Sequence, residues 1–180
     1  MEIDDRKRLL RPGDHVLDLG CAPGSWLQVS AERVGLSGIV VGLDLKPSAQ
    51  GLGPNVLALR GDVWQIDAAD LVRAAARAGG HERLFDVVLS DMAPNTSGHG
   101  DDFISARLCR RVLELAPALL RPGGHLVMKI FEGAEYSRVL REASDLFAEA
   151  RGFKPRASRD VSREMYIVCK GLRPRPERGP

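Results

Sequence analysis

The chain has 180 residues, enough for one sizeable hydrophobic core and too few for two comfortable domains, so a single domain is expected. Hydrophobic residues make up 44%, but no apolar run nears the roughly 18 residues a membrane span needs, and the start, MEIDDRKR, lacks a signal-peptide core. These features exclude a membrane protein and predict a soluble, cytoplasmic one. The net charge of +2 is unevenly spread: Arg151 to Pro180 holds nine basic against three acidic residues, a local +6. Such a patch suits either a phosphate backbone or a solvated surface with a Pro/Arg-rich tail.

Taken in order, Asp4 to Leu10 reads as a short helix that Arg11-Pro12-Gly13 stops. In HVLDLGCAPGSW, His15 to Leu19 is an apolar run for a buried strand and Gly20 to Gly24 a tight turn. A helix from Ser25 to Val34 turns its free N–H groups toward that turn. IVVGLD, ending on Asp44, is a second buried strand and Val56 to Leu59 a short third. Asp67 to Ala78 is an alanine-rich helix ended by Gly79-Gly80. FDVVLSD, Phe85 to Asp91, is a fourth strand, and MAPNTSGHGDD after it a loop. Ile104 to Leu120 is helical up to Arg121-Pro122-Gly123-Gly124, and His125 to Ile130 is a fifth strand. Tyr136 to Ala150 has helical apolar spacing, Met165 to Cys169 forms a last strand, and 172–180 is expected to be a disordered tail.

Strands alternating with helices in this way predict a mostly parallel sheet covered on both faces. Ligands bind such sheets beyond the carboxyl ends of the strands. Asp18, Asp44, Asp91 and Lys129 lie near those ends, with Asp62 in the loop after the third strand. The first turn, Gly20-Cys21-Ala22-Pro23-Gly24, departs from the dinucleotide pattern G-x-G-x-x-G and suits a nucleoside ligand better. Asp44 can accept both ribose hydroxyls, Asp62 can reach an adenine amino group, and Trp26 can pack on the ligand; singly, each acid reads more readily as a turn or helix-cap residue. Cys21, Cys109 and Cys169 lack paired spacing and are expected to be buried thiols, and the four histidines show no ligand spacing, so no metal is expected.

The motifs DLGCAPGSW, LDLKP, GDV, SDMAPNTSG, LRPGGHLVMKIFEG and SRDVSREMYIVCKG occur here in one order. In that order the chain resembles the FtsJ-type (RrmJ-like) methyltransferases over roughly residues 1 to 171. The resemblance implies a single Rossmann-like class I methyltransferase domain, with a mostly parallel seven-stranded sheet and helices on both faces. It implies S-adenosylmethionine as methyl donor, bound by Gly24, Trp26, Asp44, Asp62 and Asp91. It further implies Lys129, Asp91 and Glu164 as catalytic residues for methylating a ribose 2′-hydroxyl of ribosomal RNA, with a uridine of the large subunit, free or assembled, as the target. The family's fourth catalytic residue is a lysine upstream of the first strand, in a segment resembling S-R-x-x-x-K-L-x-E-I. Its last letters fall on Glu2-Ile3, so Lys7 does not take that role. Two expectations follow: a binding module impaired in turnover, or a start upstream of Met1. A monomer is the expected state.

The chemistry fits the residue types. A ribose hydroxyl is a poor nucleophile, so transfer needs proton removal and alignment with the methyl donor. Lys129 can act as a base only when neutral; burial and a nearby cation favour that form, whereas Asp91 and Glu164 favour the charged form and orient it. Read alone, Lys129 fits better as a strand-end lysine in a surface ion pair.

Overall fold

The computed structural model describes residues 2–48, 52–79, 81–94, 100–155 and 163–174. Seven strands form one sheet: β1 (His15–Leu19), β2 (Ile39–Asp44), β3 (Val56–Arg60), β4 (Phe85–Ser90), β5 (Leu120–Phe131), β6 (Phe147–Phe153) and β7 (Glu164–Leu172). Their order is β3-β2-β1-β4-β5-β7-β6, and β7 alone runs antiparallel to its neighbours β5 and β6. The central strands β1 and β4 are buried at every position, as parallel strands covered on both faces must be. The edge strand β3 is only half-buried.

Five helices supply the cover: α1 (Glu2–Lys7), α2 (Ser25–Val34), α3 (Ala68–Arg77), α4 (Asp101–Leu119) and α5 (Tyr136–Leu146). Alternation along each strand sorts its side chains onto two faces. Leu17, Leu19, Met128 and Ile130 join Leu71, Val112 and Val139 of α3, α4 and α5 in one core layer. Val16, Leu89, Val127 and Tyr166 join Ile3 and Leu27 of α1 and α2 in the other. Asp67 caps α3, its carboxylate accepting the Ala69 N–H.

Several boundaries differ from expectation. The first helix ends at Lys7 because the buried Asp4 carboxylate accepts the N–H groups of Leu9 and Leu10 and turns the chain. The helix expected to reach Ala150 ends at Leu146, where β6 begins. Phe147 fits both the helical stripe with Val139 and Ala143 and an extended strand. The strand prevails because β7 offers a ladder from Phe147 opposite Leu172 to Phe153 opposite Tyr166. The fifth strand starts early, at Leu120, which pairs with Phe85, while His125 pairs with Val87; Arg121-Pro122-Gly123-Gly124 is looped out of the ladder between them. Leu172, expected to begin a tail, closes β7. Gly80, the loop residues 95–99, the basic residues Arg156 and Arg159, and the tail from residue 175 onward lie outside the described residues.

Asp86 fastens the ends of three strands away from the cleft. It is 6% exposed and accepts from the His15 N–H at 2.8 Å, Arg121 Nε at 2.6 Å and Arg83 Nη1 at 2.9 Å. Burial pushes its carboxyl up, but Arg121, the His15 amide and Arg83 together outweigh burial and hold the pKa below its ordinary value. The carboxylate therefore stabilises the fold above the unfolded-state pKa, and that contribution is lost as pH falls through the lower folded-state value. Asp86→Ala is expected to cost about 2–3 kcal/mol at pH 7. Urea melts should show the gap to the original chain constant down to about pH 4 and shrinking below it; a gap that widens toward low pH would contradict this assignment.

Candidate active site

The carboxyl ends of β1, β2, β3 and β4 open on one edge of the sheet around a cleft of about 410 Å³. Its floor is built where the turns after β1 and β4 meet. The Gly20 N–H donates to the Leu43 carbonyl and the Asp91 N–H to the Leu19 carbonyl, extending both ladders past the strand ends. Gly20 has φ +79°, and a Cβ there would lie 2.8 Å from the Met92 backbone nitrogen, so a side chain is excluded by conformation and by space.

Three of the expected donor-binding acids line this cleft: Asp44, Asp62 and Asp91. Asp44 accepts the Ala22 N–H at 2.9 Å through one oxygen and the Lys46 N–H at 2.8 Å through the other. Asp62 accepts the Trp64 N–H at 3.0 Å. Gly24, at φ +122°, caps α2 without a side-chain hydrogen bond. Trp26, expected to pack on a ligand, stacks on Tyr166 with ring centroids 5.8 Å apart. Neither Gly24 nor Trp26 lines the cleft; the first turn of α2 carries Trp26 across toward β7.

Lys129, Asp91 and Glu164 come together beside the cleft. In the antiparallel β5–β7 pair Lys129 lies opposite Tyr166 and Phe131 opposite Glu164, which sets Glu164 diagonally across from Lys129 on the same face. Lys129 Nζ is 2.8 Å from Asp91 Oδ1 and 3.5 Å from Glu164 Oε1, and its side chain is 11% exposed. The Tyr166 hydroxyl donates to the same Asp91 oxygen at 3.0 Å. Burial, then the charge of Asp91, pushes the Tyr166 pKa well above its ordinary value, so the hydroxyl remains a donor. A near-buried amine is costly to leave unpaired, and two carboxylates answer that cost here.

Asp18 of β1, counted in the sequence among the acids at the strand ends, is fully buried and lines no part of the cleft. Neither of its oxygens has a hydrogen-bond partner among the described residues. Burial, then the charges of Asp91 and Asp44, raises its pKa well above the ordinary value. The cysteines are buried as expected. Burial pushes Cys21 to about 11 and Cys109 to about 12, which keeps both as thiols.

Sequence reasoning missed Tyr166, Trp64, Met92, Ile104 and Leu108. Tyr166 had a signal: it stands two residues after Glu164 in a strand and so shares its face. The others reach the cleft from a turn and from a helix, where strand periodicity says nothing.

The FtsJ-like methyltransferase family profile matches residues 1–172. The chain is 47% identical over 174 residues to the ribosomal RNA large subunit methyltransferase E of Syntrophobacter fumaroxidans, covering 96% of this chain and 85% of that protein. It is 44% identical over 169 residues to the protein of that name from Desulfatibacillum aliphaticivorans, covering 93% and 78%. Among solved structures it resembles a candidate ribosomal RNA methyltransferase from Plasmodium falciparum, with TM-score 0.80, 26% identity, and 95% and 93% of the two chains covered. It also shares its fold with Aeropyrum pernix fibrillarin bound to S-adenosylmethionine, with TM-score 0.63, 19% identity, and 89% and 68% covered.

The raised pKa of Asp18 has a testable sign. The native state holds a proton that the unfolded chain gives up near pH 4, so this residue makes stability fall as pH rises above that point. Asp18→Asn removes the ionisation while keeping the shape. Its stability relative to the original chain, from thermal melts, should shift in the variant's favour between pH 4 and pH 8; a pH-independent difference would refute the buried, neutral carboxyl.

Proposed function

The chain belongs to the FtsJ-like methyltransferase family, and on that footing we propose that it transfers the methyl group of S-adenosylmethionine to a ribose 2′-hydroxyl of large-subunit ribosomal RNA. The observation that carries this reading is the near-buried Lys129 amine held by Asp91 and Glu164 beside an acid-lined cleft. The cleft, at about 410 Å³, lies within the usual range for small-molecule sites. Its donor set suits a cationic nucleoside: each Asp44 oxygen accepts one backbone N–H and keeps a lone pair for a ribose hydroxyl, and Asp62 offers an acceptor for an amino group. S-adenosylmethionine, when bound, supplies an electrophilic methyl group on a sulfonium.

Lys129, in its neutral form, takes the proton from the attacking 2′-hydroxyl. Asp91 and Glu164 aim the amine and stabilise the ammonium that results. Tyr166, backed by the Trp26 ring, fixes the shared Asp91 oxygen. Gly24 and Trp26, at the start of α2 directly after the donor turn, belong to the donor site in this reading. A positioned general base contributes typically ~10²–10⁴ in rate. Holding the two reactants in line is worth roughly 7–11 kcal/mol.

The RNA backbone meets the basic C-terminal segment. Between Arg151 and Arg163 its described cations are Arg151, Lys154 and Arg163. The fold adds Arg6 and Lys7 of α1, set 5.1 and 5.9 Å from the Phe153 ring centroid of β6, so both ends of the chain contribute charge to one edge. The reading includes a cytoplasmic enzyme working as a monomer, since ribosomal RNA is the substrate and the site is assembled within one chain.

Under single-turnover conditions with tritiated donor and undermethylated large subunits, Lys129→Ala should lower the rate by at least ~10². Donor affinity by calorimetry should stay within about threefold, under 1 kcal/mol. Absence of label in RNA with the unaltered chain would sink the reading. Replacing Arg6 and Lys7 together by Ala should weaken RNA binding and reduce the log K against log salt slope by about 1.5; an unchanged slope would remove α1 from the RNA contact.

A further inference from the structure

Trp64 is 46% exposed, yet it lines the cleft, two residues beyond Asp62 in the turn after β3. An indole carries a large apolar surface that folding normally covers. What faces it comes from α4. Ile104 and Leu108 line the same cleft, and Arg107 between them sets its guanidinium 5.5 Å from the Trp64 ring centroid. Arg111, one turn on and on the same helix face, donates Nε–H to the Val63 carbonyl at 3.0 Å. The turn carrying Asp62, Val63 and Trp64 is thus fastened to α4 at two points across the cleft at its Asp62 end.

We propose that Trp64, held by Arg107, is the outer wall of the cleft for the purine of the methyl donor, and that it sets how tightly donor and demethylated by-product are held. This rests on the methyl-donor reading above. A flat π surface beside a carboxylate that accepts an amino hydrogen matches an aminopurine, and Val63, Ile104 and Leu108 match the apolar remainder of such a ring. Arg107 stiffens the indole from outside, so less side-chain freedom is lost when a ligand arrives. The β3 turn lies four strand spacings from β5, on the order of 19 Å, so the pair acts on binding and release and leaves proton transfer at Lys129 alone.

Calorimetry of the full chain with S-adenosylmethionine and with S-adenosylhomocysteine tests this. Trp64→Ala should weaken both ligands about tenfold or more, as loss of a base–aromatic contact does. Trp64→Phe should stay within about threefold, and Arg107→Ala should fall between the two, as the loss of an exposed cation–π partner implies. The KM for donor should rise in parallel while the single-turnover rate at saturating donor holds. Tryptophan emission of the unaltered chain should change on adding S-adenosylhomocysteine, and Trp64→Phe should lose most of that change. If Trp64→Ala fails to fold, Trp64→Leu, which keeps apolar bulk without a π face, carries the same expectation. Unaltered affinity in both Trp64→Ala and Trp64→Leu overturns the inference alone. Failure of the unaltered chain to bind either ligand overturns the donor reading with it.

Discussion

The contact between Lys129 Nζ and Asp91 Oδ1, 2.8 Å long, is where the sheet and the chemistry constrain each other. An amine with 11% of its side chain exposed is tolerable only with acidic partners held in place. Asp91 follows β4, whose carboxyl end is beside that of β5, so one partner comes from parallel pairing. The other requires β7 to run backwards. In an all-parallel sheet every strand would present its carboxyl end to the cleft edge; because β7 is reversed, its first residues, Glu164 and Tyr166, arrive there opposite Phe131 and Lys129. The antiparallel insertion between β5 and β6 is thus what completes the site.

The same edge carries two tasks side by side. The ends of β1, β2 and β3 form the cleft, and the ends of β4, β5 and β7 hold the amine. Gly20 is the hinge of this division, since the turn after β1 can lie against Met92 only without a side chain. The acids there are not equivalent. Asp44 and Asp62 spend part of their capacity on backbone N–H groups and so are fixed in direction. Asp18 is buried, has no hydrogen-bond partner among the described residues and is raised in pKa, which disfavours a full charge between Asp44 and Asp91.

On the α2 face the second core layer reaches directly into the site. Tyr166 belongs to that layer, stacks on Trp26, and donates to Asp91. The apolar packing of α2 therefore fixes the direction of the carboxylate of Asp91, just after β4. Disturbing Trp26 would be felt at Lys129 through three contacts, with no ligand between them.

Much of this was legible in the sequence because it is local. The alternation of strand and helix, the acids at strand ends and the run Ser25–Val34 follow from periodicity and turn chemistry within windows of ten or so residues. The α/β class follows on that basis, whereas Glu164 and the catalytic roles of Asp91, Lys129 and Glu164 rest on the resemblance to the FtsJ-type methyltransferases. What the sequence alone could not decide depends on partners far along the chain. Whether Phe147 ends a helix or begins a strand is settled by Leu172 of β7, far along the chain. That Trp26 stacks on a ring depends on Tyr166, far along the chain, and Trp64 becomes part of the cleft only because α4 brings Arg107 and Arg111 across to its turn. Local pattern determines which residues can form a strand, a cap or a cleft edge; tertiary packing decides which of their faces are left with a neighbour.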